Sequence, residues 1–570
     1  MAKIDSYEWY LKDTLKKGLY HQIPIYQRPY QWTEENCEKL LDDLFFNYED
    51  DRESDYFCGS LVLVKSDPNS KTETYDVVDG QQRLSTFILL AKVLADLYNG
   101  LDPEYLEYLQ ESWKDRYTER KRLSFNTIGS NAEDDFQDAL EHFNDSQASK
   151  NKIIENNYLK NAICLKDYLM KKEIKNINNF IDWLYCNVVF VTITCPDADK
   201  ALRIFSVLNA RGLPLNATDI FKGELLKELA KEEDQKKLVF RWNALHQKCS
   251  DNDLTMETLF SWYLDYLNPV TSKEKMEKRL VTWFKNLNKT PLEYLKDVED
   301  FYNAYCEVLE MQDWHAHLLS YKDDDYLHVI LCASILHHYS DQDIETLKEL
   351  LVKFYYQDWV AGQTRSTRSQ TCCNIINALK EKKSIRDIAS IVVKKYLDDK
   401  NITQRFRDNL KDSKLYEKFY FAGKSVKKNS WLKPILILVE YFVSDDSYPK
   451  RIQMDKNLHI EHILPQNPDP SSRWVKDFSE EERGLYTHSL ANLTLLGGNK
   501  NSQASNLDFK DKKKIYMGEE IKLNKKKPFK VMTCYKMTID IAHHYTEWTP
   551  KSLEKRKEEL IQIIESALEL

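Results

Sequence analysis

The sequence predicts a helix-rich α+β protein of several domains, and three observations carry that class. Glycine is scarce, 13 in 570 residues against a usual ~7%, and 15 prolines accompany 30% charged residues. Strand-like runs gather in the first 225 residues, whereas 223–445 reads as almost uninterrupted helix. The length leaves room for about three or four folding units, each able to bury a core. Collagen, a disordered tail protein and a turn-dense all-β fold are excluded.

Thr33 opens a helix with Glu34 and Glu35 in its first turn, predicted to end near Leu44. Phe57–Val64, Glu73–Val78 and Val188–Cys195 are β-branched and aromatic runs of strand length. Leu84, Phe87, Ile88, Ala91, Leu94 and Leu97 follow helical spacing until Asn99-Gly100 closes the helix. Thr118–Lys171 reads as a polar, helical excursion, and no internal repeat organises the helical stretch after Gly223. A polar, proline-bearing segment, SDDSYPKRIQ, marks a boundary near 445–455. Two short strand-like pieces and helices follow, ending in an amphipathic helix from Ser552. The expected domains are therefore 1–225, 226–445 and 446–570.

The formal charge is −9, from 82 Lys+Arg and 91 Asp+Glu. Such acidity argues against non-specific coating of nucleic acid but leaves room for a local basic surface. Eleven cysteines without a C-x-x-C read as reduced thiols of a cytoplasmic protein. No apolar run approaches the ~20 residues of a membrane span, and the N-terminus lacks a secretory core. Lysines gather after residue 499, a pattern usually meaning a solvated face. The basic residues Arg365, Arg368, Lys380, Lys382 and Arg386 could track a duplex or simply line exposed helices. Tyr26, Tyr30 and Trp32 could stack on a base or fill a core. The pairs His315/His317, His337/His338 and His543/His544 read as structural, because adjacent histidines on a helix diverge by ~100°.

Two constellations carry chemistry. Residues 459–466 read HIEHILPQ, and His488 precedes ANLTLL, Gly497-Gly498 and NKNSQASN. On a strand, Glu461 and His462 point to opposite faces, but irregular backbone before Pro465 could bring both to one ion. A hairpin turning at the glycines would return the asparagines towards them. Phosphodiester hydrolysis needs a neutral imidazole as base and a hard cation for the developing charge. His462 is thus the candidate base, with Glu461 and Asn501 as candidate Mg²⁺ ligands. By spacing alone, an E-H dipeptide is more often a packing feature.

Near the N-terminus stand IPIYQRPYQW (23–32) and YDVVDGQQR (75–83). The second is a strand running through Asp79-Gly80 into a helix, a junction whose free N–H groups suit phosphate. Arg83 could add a bidentate contact or be salt-bridged locally. Asp79 could orient a metal, a water or a ribose hydroxyl. No G-x-x-x-x-G-K-[ST] is present, which disfavours a P-loop NTPase.

HIEHILPQ with HSLANLTLLGGNKNSQASN resembles the HNH (ββα-metal) nuclease core in the cysteine-free form of GmrSD-type restriction proteins. The resemblance implies that His462 activates water, that Asn492 supports the catalytic loop, and that Glu461 and Asn501 hold Mg²⁺ or Mn²⁺. IPIYQRPYQW, DVVDGQQRLSTFILL and IFSVLNARGLPLNATDIFK (204–222) follow the order of the GmrS-like half, which is similar to the ParB/sulfiredoxin nucleotidase fold. That implies an NTP site (GTP, UTP or ATP) formed by Asp79, Gly80, Gln81, Gln82 and Arg83, with Gln27 and Arg28. Asn209, Arg211 and Asp219 are weaker candidates. The expected activity is NTP-regulated, Mg²⁺-dependent cleavage or nicking of modified phage double-stranded DNA in the cytoplasm, compatible with a homodimer. A DNA-binding adaptor with vestigial sites and a stand-alone NTP-depleting nucleotidase are the alternatives.

Overall fold

The computed structural model describes residues 4–569 except 17, 25, 26, 28, 67–72, 127–130, 146–155, 198, 199, 202, 203, 205–216, 421–428, 445, 447, 448, 498–503, 505, 519, 522–528 and 531–534. It divides into two compact units, 1–257 with 275–295, and 258–274 with 296–570. The helical stretch 226–445 is thus shared between them.

The first unit is built on a mixed six-stranded sheet, in the order β1-β6-β3-β4-β2-β5. Its strands are β1 (Asp5–Tyr10), β2 (Leu19–Ile23), β3 (Tyr56–Lys65), β4 (Glu73–Asp79), β5 (Leu123–Phe125) and β6 (Val188–Cys195). β3 and β6 pair in parallel at the centre, and their near-continuous apolar runs suit strands covered on both faces. β3 then meets β4 antiparallel, and β4 meets β2 in parallel. The helix Gln81–Leu97 buries Leu84, Phe87, Ile88, Ala91 and Leu94 in the main core. The helix from Thr33 runs to Asp50, past the predicted end at Leu44, because Phe45 and Tyr48 continue its apolar stripe. Tyr30 is buried, stacked on Tyr158 at 4.2 Å and hydrogen-bonded to Thr86 at 2.7 Å, so it is a core aromatic and not a base-stacking platform.

The second unit is helical up to β7 (Leu458–His462) and β8 (Leu493–Gly497), an antiparallel pair. Of the five basic residues proposed to track a duplex, three are engaged within the fold, whereas Lys382 and Arg386 are exposed. Arg368 lies buried between Asp324 and Asp358, Arg365 pairs with Asp325, and Lys380 donates to the carbonyls of Tyr266 and Leu267 at 2.8 Å. Buried Glu440 accepts the N–H groups of Lys536 and Met537 at 2.8 and 2.9 Å, capping the helix Lys536–His544. That helix fixes β8 through Thr538 Oγ1, which donates to the Leu495 carbonyl at 2.6 Å. Among the described residues no helix is long and apolar enough to cross a membrane.

Candidate functional site

β7 and β8 bring the two C-terminal motifs into register, Glu461 opposite Thr494 and His462 opposite Leu493. β8 therefore pairs with a strand some thirty residues upstream; the turn expected at the glycines runs into 498–503, which lie outside the described residues. The ladder continues as Ile463 N–H donates to the Asn492 carbonyl at 3.0 Å. Asn492 then clamps the chain beyond His462. Its Oδ1 accepts from Leu464 N–H at 2.7 Å and Trp548 Nε1 at 3.3 Å. Its Nδ2 donates to the carbonyls of Leu464 and Thr487 at 2.8 and 2.9 Å. Wholly buried, Asn492 holds the loop and has no face for substrate. Arg556 donates to the carbonyls on either side, those of Ala491 and Leu493.

Glu461 and His462 both lie inside β7 and have separate surroundings. Glu461 is 3% exposed, and its Oε1 accepts from Lys512 Nζ at 2.6 Å and Tyr516 OH at 3.2 Å. Burial pushes the Glu461 carboxyl up and the Lys512 ammonium down, and their mutual attraction opposes both shifts. His462 packs edge-on to Tyr416 and His488, with ring centroids 4.2 and 5.5 Å away. Its Nδ1 lies 3.3 Å from the Gln466 amide nitrogen. Burial, with His488 and Lys512 nearby, pushes the imidazole down to about 3, so it is neutral at ordinary pH.

As a cation site, this donor set offers one carboxylate already neutralised by an ammonium. A carboxylate has roughly four acceptor positions. Lys512 and Tyr516 take two at Oε1 and the backbone N–H of His462 also bonds the carboxylate, so about one position is left that a hard cation would have to use. Asn501 lies outside the described residues. Among those described, Asp313, His315 and Glu345 also approach one another. Lys348 already sits between Asp313 and Glu345, which makes that group a closed ion cluster.

The N-terminal motifs also converge. Gln27 Nε2 donates to the carbonyls of Val77 and Val78 at 3.0 and 2.7 Å, and Gln82 Oε1 accepts from the N–H groups of Gln31 and Trp32 at 2.8 and 3.0 Å. These bonds pin Gln27, Gln31 and Trp32 to the strand–helix junction. Gly80 is the N-cap of the helix Gln81–Leu97 at φ +96°, where a Cβ would fall 2.2 Å from Leu61 Cδ2. Arg83 donates to the carbonyls of Cys58 and Ser60 at 2.8 and 2.9 Å, and sits 3.6 Å from Asp79. Ser60 Oγ donates to Asp79 at 3.0 Å. Its side chain still 22% exposed, Arg83 keeps one face to solvent. Gln81 is buried. Asp219 stands in the first turn of the helix Ala217–Lys227. Arg28, Asn209 and Arg211 lie outside the described residues.

Sequence reasoning missed Lys512, Tyr516, Tyr416 and Gln466. For the first two a signal existed. Phe509, Lys512, Ile515 and Tyr516 share one helical face, which lifts Lys512 out of the lysine run around it. Tyr416 comes from a distant helix, and only the fold brings it to His462.

Two family models match the chain. One is described as the N-terminal domain of GmrSD restriction endonuclease and matches residues 11–226; the other, the C-terminal domain of GmrSD restriction endonucleases, matches 402–563. Between them they cover about two thirds of the chain and include both constellations. A search of curated proteins returned no match.

Proposed function

The chain belongs to the GmrSD restriction endonucleases, and from that premise we propose that it is a Mg²⁺-dependent endonuclease or nickase of modified foreign DNA, regulated by NTP. In this reading 446–570 is an HNH module, 1–225 a ParB-like nucleotidase, and 226–445 a helical connection. The observation that carries it is the β7–β8 pairing, which sets His462 beside the loop clamped by Asn492. A neutral imidazole at the end of a strand, fixed by the backbone on both sides, can take a proton from an attacking water. Mg²⁺ would be held by Glu461 and Asn501, and when bound supplies charge stabilisation at the scissile phosphate. Lys512 orients Glu461 and, through the His462 carbonyl, the strand end.

In the N-terminal unit, the backbone N–H groups opening the helix at Gln81 and the solvent-facing side of Arg83 would meet the phosphates of an NTP. Asp79, Gly80, Gln82, Gln27 and Arg28 would shape that site.

Purified protein incubated with plasmids bearing different modifications, with Mg²⁺, each NTP and an EDTA control, tests the proposal. Cleavage that needs Mg²⁺ and is lost in His462→Ala, with NTP hydrolysis retained, is expected. Binding without cutting would instead favour an adaptor. Nucleotide loss with intact DNA would favour a nucleotidase.

A further inference from the structure

Two ring nitrogens in the C-terminal site are closed off from solvent and have no hydrogen-bond partner among the described residues, Nε2 of His462 and Nδ1 of His488. The two rings stand perpendicular, 89° apart, with centroids separated by 5.5 Å. Tyr416 fixes both. It meets the His462 ring edge-on at 4.2 Å and lies parallel to the His488 ring, 7° apart at 6.0 Å. Its backbone N–H donates to the His488 carbonyl at 3.1 Å.

The two nitrogens of His462 differ in access. Nδ1 lies beside the amide of Gln466, an exposed side chain, whereas Nε2 is enclosed. Nδ1, on the side of the exposed Gln466, is the nitrogen placed to meet a water poised on a phosphodiester. A neutral imidazole carries one proton, so a basic Nδ1 requires that proton on Nε2. An enclosed N–H needs an acceptor, and the unpartnered Nδ1 of the adjoining His488 ring is the one at hand.

We propose that His488 is a positioning residue for DNA cleavage: its Nδ1 accepts the Nε2 proton of His462 through a bridging water, since the two nitrogens make no direct bond, and so holds His462 in the tautomer whose Nδ1 is the base. The proposal rests on the reading of His462 as the nuclease base. No covalent step is added; His488 selects which nitrogen of its neighbour is bare.

Two variants of the full-length chain test it. His488→Phe keeps a flat ring against Tyr416 but removes the acceptor, and His488→Gln restores an acceptor. Cleavage kinetics on a plasmid the wild type cuts give the first readout. In His488→Phe, kcat should fall by roughly tenfold or more with KM within about twofold, and His488→Gln should recover most of that loss. Long-range ¹H–¹⁵N spectra of histidine-labelled protein give the second, with His462→Gln identifying the His462 signals. The proton is expected on Nε2 in the wild type and displaced from it in His488→Phe. A His488→Phe variant with wild-type kcat and unaltered His462 signals overturns the proposal. So does an equal loss of kcat in both variants without a change of tautomer. If the wild type cuts none of the DNAs, the nuclease reading fails, and the spectra alone decide the pairing: displacement in His488→Phe supports it, and no displacement overturns it.

Discussion

Lys512 and Glu461 form an enclosed ion pair, with Nζ 2.6 Å from Oε1 and, at the same distance, the carbonyl oxygen of His462. The lysine side chain has no exposed surface. One ammonium thus ties the carboxylate of one strand residue to the backbone of the next, the candidate base. Removing the cation leaves a buried charge unpaired, which costs about 3–5 kcal/mol. Lys512→Met is therefore expected to lower hydrogen-exchange protection of Leu458–His462 by roughly a hundredfold or more. Adding Glu461→Gln should return much of it, since the stranded charge is then gone. Equal protection in the single and double variants would contradict the pairing.

Asn492 makes four side-chain hydrogen bonds and none of them faces solvent. Asn492→Asp keeps the acceptor for Leu464 N–H but turns an oxygen towards the carbonyls of Leu464 and Thr487. Two lost donors and a buried repulsion should cost about 2–4 kcal/mol. Melting of the C-terminal region and DNA cleavage should fall together, because the loop beyond His462 loses its clamp. Full cleavage at an unchanged melting temperature would show that Asn492 does not hold that loop.

Gly59 makes room for Arg83. A Cβ at Gly59 would lie 1.7 Å from Arg83 Nη1, and the backbone there has φ +109°, a region that disfavours any side chain. Gly59→Ala should drive the guanidinium off the carbonyls of Cys58 and Ser60 and cost about 1–3 kcal/mol of strain. Arg83→Ala should lower NTP hydrolysis, and Gly59→Ala should do so to a similar degree. The double variant should be little worse than either, because both act on one group. Additive losses in measured NTP turnover would place the two residues in separate roles.

What could be read from the sequence follows from where apolar side chains outnumber polar ones. β3 and β6 announced themselves because central strands are apolar on both faces, and β4 through its aromatic and β-branched Tyr75, Val77 and Val78. β1, DSYEWY, was hidden because as an edge strand it pairs on one side only and keeps its polar residues. β5 spans three residues, too few for any periodicity. In the site, His462 and Asn492 were legible as motif positions, but their environment was not. Lys512 looked solvated because its neighbours are lysines, and only the spacing from Phe509 to Tyr516 places it inward. Tyr416 and His488 meet by tertiary packing across some seventy residues, which local pattern cannot encode.

His21 gives the first unit an acid-sensitive strand. It lies wholly buried in β2, and its Nε2 donates to the Thr14 carbonyl at 2.9 Å. Burial, with Arg122 nearby, pushes the imidazole down to about 4, against 6.5 when unfolded; the bond to Thr14 resists only in part. Between those values the unfolded chain binds the extra proton, so stability rises with pH across the window. The contribution is fully present above 6.5 and is lost as pH falls through about 4, a difference of about 3 kcal/mol. His21→Gln keeps a donor for Thr14 and removes the titration. Thermal melts of the N-terminal unit should fall more steeply between pH 6.5 and 4 in the wild type than in His21→Gln. The gap between the two proteins should narrow as the solution is acidified, even if the variant is less stable at neutral pH. Parallel slopes would mean that His21 is protonated in the fold, which its enclosed position against Thr14 opposes.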